Sequence, residues 1–78
     1  MKFIWELAVP EMGEEFTRYC LTKEKALNLL DRMAHTNGWI NFECIEDSDY
    51  YQEYTFEDSC LKFSLETYAI IQRHLISE

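Results

Sequence analysis

Seven carboxylates fall between Glu43 and Asp58 (Glu43, Glu46, Asp47, Asp49, Glu53, Glu57, Asp58), with no Lys or Arg among them. Tyr50, Tyr51, Tyr54 and Phe56 are interleaved with these acids. Carboxylate pairs are the machinery of glycoside hydrolysis, but that chemistry needs a pocket around the pair. Nothing in so short a chain argues for one. Glu46, Asp47, Asp49 and Glu53 could offer oxygen ligands to Ca²⁺ or Mg²⁺, yet the segment lacks the spacing and central glycine of an EF-hand loop. The chemistry left to them is contact. A dense negative field set with rings suits a basic protein surface and repels nucleic acid.

Other reactive types are sparse. Gly13 and Gly38 are the only glycines; they suit a turn and a helix end, and no phosphate-binding loop is present. His35 and His74 fall on expected helix surfaces, and Asp31 stands one helical turn before His35 as an ordinary i, i+4 pair. Cys20, Cys44 and Cys60 are widely spaced and include no C-x-x-C pair, so they read as buried reduced thiols. A Cys3His zinc site using His35 or His74 is the alternative. The basic residues Lys2, Arg18, Lys23, Lys25, Arg32, Lys62 and Arg73 form no stripe, and the formal charge is −8. Direct nucleic-acid binding is therefore not expected. No catalytic constellation assembles, so we expect no enzyme and no cofactor.

The elements that must position these groups follow from periodicity. Lys2 to Val9 alternates, with Phe3, Trp5, Leu7 and Val9 on one face, and predicts a half-buried strand. Pro10 to Gly13 supplies turn chemistry, and a second strand is expected over about Glu14 to Leu21. Thr22 is a good N-cap for a helix from Lys23 to Thr36. Ala26, Leu29, Leu30 and Met33 make its apolar stripe, and Asn37-Gly38 ends it. Strands are expected over Trp39–Glu46 and Tyr50–Glu57, joined by an Asp47-Ser48-Asp49 turn. Alternation places Ile40, Phe42, Cys44, Tyr54 and Phe56 inward, and Trp39, Asn41, Glu43, Ile45, Tyr51, Glu53, Thr55 and Glu57 outward. Pairing about the centre of the turn sets Glu43 opposite Glu53, a like-charge contact that costs a few tenths of a kcal/mol or more. A short strand over Cys60–Ser64 is expected next. Ser64 then caps a second helix from Leu65 to about Ile76, with Gln72 in the apolar arc and Ile70 on the polar side as its two misfits.

With 78 residues the chain makes one domain, residues 1–78. The order β-β-α-β-β-(β)-α predicts an α+β fold, a mainly antiparallel sheet of four to five strands with two amphipathic helices on one face. No apolar run approaches the ~18 residues of a membrane span, and no signal-peptide pattern opens the chain, so a cytoplasmic protein is expected.

On this reading the partner-binding residues are Glu43, Glu46, Asp47, Asp49, Tyr51, Glu53, Glu57 and Trp39, aromatic side chains being enriched at interface hot spots. In size, charge and compact α+β organisation, the chain resembles the small acidic proteins that phages encode against host defence. Anti-CRISPR proteins that act as nucleic-acid mimics are the best example. In the same terms it resembles immunity proteins that neutralise basic nuclease toxins. The resemblance rests on no sequence motif. It implies a stoichiometric inhibitor whose acidic, aromatic face occupies the basic nucleic-acid-binding surface of a CRISPR effector or nuclease. The alternative is a homodimeric structural or regulatory module, burying its outer sheet face or the Ile70/His74 side against a second copy.

Overall fold

The computed structural model describes residues 2–59 and 66–76. Alternation along the N-terminal segment makes β1 (Lys2–Ala8), with Trp5 and Leu7 buried and Val9 buried just beyond it. Two short 3-10 turns follow, Pro10–Met12 and Glu14–Phe16, hinged on Gly13 at φ 86°. That positive φ is open to glycine without a Cβ penalty. The second strand expected over Glu14–Leu21 shrinks to β2 (Arg18–Cys20). The turns carry Met12 and Phe16 over the core, which a long hairpin partner of β1 could not do.

The helix forms as its caps and stripe predict. α1 spans Lys23–Asn37; Thr22 Oγ1 accepts from the Lys25 amide at 3.1 Å, and Gly38 takes the left-handed C-terminal position at φ 71°. It extends one residue past the expected end because Asn37 Nδ2 donates to the Met33 carbonyl at 2.8 Å. Ala26 and Leu30 are its buried contacts.

β3 (Trp39–Asp47) and β4 (Tyr51–Asp58) form the expected hairpin. Ser48 closes it: its hydroxyl donates to the Tyr51 carbonyl and accepts from the Tyr51 amide, both at 3.1 Å. The chain then departs from expectation. Glu66–Ile76 is not a helix but an eleven-residue strand, β5. Thr67, Ala69 and Ile71 are buried on one face, and Ile70 and Gln72 fall together on the other. The two misfits of the helical stripe are thus ordinary neighbours at a period of two. Thr, Tyr and Ile in this segment favour a pleated surface as well. The expected strand at Cys60–Ser64 lies outside the described residues.

The sheet is five-stranded and antiparallel, in the order β2-β1-β5-β4-β3. The α+β class and antiparallel sheet agree with expectation, whereas the second helix and the element order do not. β5 lies centrally, paired with β1 from Lys2↔Ile76 to Ala8↔Ile70 and with β4 from Tyr51↔Gln72 to Glu57↔Glu66. One sheet face, with Trp5, Leu7, Phe56, Ala69 and Ile71, packs on α1, Met12 and Phe16. The second carries Ile4, Glu6, Ala8, Tyr68, Ile70, Gln72, His74 and the odd-numbered residues of β4, and no described helix packs there. Among the described residues no helix is long and apolar enough to cross a membrane.

Candidate protein-interaction face

Two irregularities in β3 decide where the acidic groups point. The register shifts once between Ile40 and Glu43 and again between Cys44 and Glu46. Asn41 sits at the first shift with φ 58°, a left-handed conformation that Asn tolerates better than most residues. A one-residue bulge inverts the facing of everything before it. Trp39 therefore turns inward, opposite Asp58, and Ile40 turns outward, opposite Glu57. Phe42 stays inward and stacks on Phe56 with centroids 4.9 Å apart. Asn41 Nδ2 holds the distortion by donating to Glu57 Oε2 at 2.7 Å.

Trp39 is consequently core, not part of the acidic face. It is 4% exposed and stacks on Phe56 at 4.6 Å, with Phe16 tilted against it at 5.6 Å. Of the other expected contact residues, Glu43, Glu46, Tyr51, Glu53 and Glu57 share the face away from α1. Glu46, not Glu43, stands opposite Glu53, so a like-charge opposition persists with a different partner. Asp47 turns to the helix side, where it accepts from Gln52 Nε2 at 2.5 Å and lies 4.0 Å from Lys23 Nζ. Asp49 is exposed within the turn. Cys44, expected to be buried, is exposed on the edge strand, and Cys20 is half-buried against the core.

The outward groups form a lattice rather than a row. Glu53 and Glu57, four residues apart along β4, are separated by roughly 13–14 Å, and Glu46 stands about 5 Å across from Glu53. Tyr51 is tied into it, its hydroxyl donating to Glu53 Oε1 at 2.7 Å. That bond, with burial and the charges of Glu53 and Glu46, pushes its phenol up to about 12. Replacing Glu53 by glutamine is expected to bring the Tyr51 titration back towards 10. Absorbance titration of phenolate, assigned by difference with Tyr51→Phe, reads this directly. An unchanged high-pH step would show that the bond is not formed.

A second cluster on the same face escaped the sequence. Glu6 accepts from Tyr19 Oη (3.2 Å) and Gln72 Nε2 (3.0 Å), and pairs with His74 Nε2 at 3.1 Å. Burial alone would raise the Glu6 carboxyl, but the hydrogen bonds from His74, Gln72 and Tyr19 outweigh it and hold the group below its usual value. A lowered native pKa stabilises above the unfolded value and is lost as pH falls through the native one. Glu6→Gln is therefore expected to cost about 1–2 kcal/mol at neutral pH. In urea unfolding, its deficit against the natural chain should shrink as pH drops below about 4.5. A deficit independent of pH would contradict the carboxylate's role.

Lys23 approaches Asp47 on the helix side, and Arg73 of β5 lines a cleft with Glu46 and Tyr50. β3 and β4 contain no Lys or Arg, whereas Arg18, Lys25 and Arg32 line shallow clefts between α1 and the β2 side. Among the described residues no three His, Cys, Asp or Glu side chains converge on a cation-sized site. Comparison with protein-family models, curated sequences and solved structures returned no match.

Proposed function

We propose that this protein is a stoichiometric, non-catalytic inhibitor that docks its acidic sheet face on the cationic nucleic-acid-binding surface of a target protein. One observation carries this reading. Glu43, Glu46, Glu53 and Glu57 emerge from adjacent strands onto one face, away from the helix, on a hairpin free of positive charge. Such an array substitutes carboxylates for phosphates and speeds encounter with a basic groove. A nuclease or RNA-guided effector fits as the target class, as the resemblance to phage anti-defence and immunity proteins implies.

Homodimerisation through the same face is the weaker alternative, because Glu46 and Glu53 would add to the charge of a second copy at that end. The deciding experiment titrates the purified protein against candidate nucleases in competition with their nucleic acid, at several salt concentrations. Competitive, one-to-one inhibition that weakens with salt is expected. Salt-independent inhibition, or none across the candidates, would count against the reading.

A further inference from the structure

The helix side of β3 has a feature that the acidic face does not explain. A groove of about 570 Å³ opens between α1 and β3, with Leu27, Leu30 and Ala34 on one wall and Phe42 and Tyr54 on the other. That volume lies in the range of sites that enclose a ligand-sized apolar group. Trp39 also lines it, and among the described residues the buried Trp39 indole Nε1–H has no acceptor. A buried donor left unpaired is costly and uncommon in native proteins, so it calls for an acceptor, which a backbone carbonyl beside an inserted apolar side chain would supply. Asp31 and His35 lie at the groove, and no described Lys or Arg lines it. On the other flank of α1 the clefts carry Arg18, Lys25 and Arg32 instead.

We infer that this groove is the anchor pocket for an apolar side chain borne by a basic segment of the protein partner. The inference rests on the acidic-face reading and extends it. β3 is the edge strand of the sheet, so a segment lying along it meets both faces at once. Its cations reach Glu43 and Glu46 on one side, while an aliphatic or aromatic side chain enters past Phe42 on the other. Phe42 and Ile40 are 38% and 46% exposed, which leaves apolar surface along this edge for the partner to cover. Charge selects the flank: a cationic segment is drawn to the Asp31 side of α1 and repelled from the Arg18/Arg32 side.

The test uses two synthetic peptides, one alternating Lys with Leu and one in which Ser replaces every Leu. Binding is followed by amide and indole NMR resonances of the labelled protein. The Leu peptide is expected to bind about tenfold more tightly and to move the Trp39 indole N–H resonance. Both peptides should move the Glu43 and Glu46 amides and weaken with salt. Ala34→Leu narrows the groove with a good helix former and should erase the tenfold difference while leaving the Ser peptide's binding unchanged. Equal binding of the two peptides with a still Trp39 resonance would overturn the anchor pocket and leave the acidic face standing. Binding of the Leu peptide alone, without salt dependence, would overturn the cationic partner for both. An indole shift produced by raising protein concentration without peptide would assign the groove to a second copy instead.

Discussion

Replacing Trp39 by alanine is expected to unfold the protein rather than weaken a surface contact. The indole is 4% exposed and sits between Phe56 and Phe16 at centroid distances of 4.6 and 5.6 Å. Truncating a buried Trp costs about 3–5 kcal/mol, because transfer energy and a cavity are both lost. A domain of this size has a total stability on the order of 5–10 kcal/mol, so most of it disappears. Circular dichroism during urea unfolding should show a midpoint shifted far towards zero denaturant, or no cooperative transition. Trp39→Phe provides the control. It keeps a ring against Phe56 and deletes the unpaired Nε1–H, so the loss of volume and the relief of the orphaned donor partly offset each other. Its stability should stay within about 1 kcal/mol of the natural chain. An alanine variant that unfolds normally would return Trp39 to the surface and invalidate the inverted strand register.

Reversing Glu43 and Glu46 to lysine should have the largest effect on binding. Both are exposed on the edge strand, so their replacement empties no core. The pair of reversals moves the formal charge from −8 to −4, and the change is concentrated where a cationic surface would dock. Loss of each favourable charge contact, joined by new repulsion, predicts affinity weakened by about 100-fold at low salt, with much of the difference vanishing at high salt. Stability should move the other way. The Glu46→Lys change sets an opposite rather than a like charge across from Glu53, and such cross-strand exchanges stabilise by roughly 0.5 kcal/mol. Melting temperature is then expected to rise by about 2–4 °C. Improved stability together with lost binding is the signature of a face kept acidic for a partner. Unchanged affinity in the double variant, measured against the same target, would end the proposal.

The parts of the fold legible in the chain are those set by local chemistry. Thr22, the Ala26/Leu30 stripe and Gly38 specify α1 from within one segment, since caps and a period of 3.6 need no distant partner. The hairpin turn is local in the same sense, because Ser48 bonds the Tyr51 backbone three residues on. β5 reads wrongly as a helix for the opposite reason. Its apolar residues satisfy a helical stripe and a central strand alike, and periodicity cannot separate the two. Gln72 and Ile70 are the signal against a helix, since both drop into register once the period becomes two.

The candidate site is half legible. Clustered carboxylates and Tyr51 can be named from their positions in the chain, and Glu43, Glu46, Glu53 and Glu57 do share an outward face. Trp39 cannot be placed that way, because alternation counted from the turn assumes an unbroken ladder. Asn41, a residue able to take positive φ, is the one local hint of the bulge. Glu6 and His74 lie 68 residues apart, and the Leu27/Phe42 groove joins a helix to an edge strand. Neither leaves a trace in spacing.

Composition and local pattern thus settled the acidic character, the single described helix with its caps, and the turn between the two acidic strands. Strand pairing settled the rest: which ends of the chain meet, that the last segment extends, and that Trp39 points inward. The division has a plain cause. A cap or a turn is satisfied by neighbours in sequence, whereas a strand's facing depends on the hydrogen-bond register of another strand, and one inserted residue reverses it.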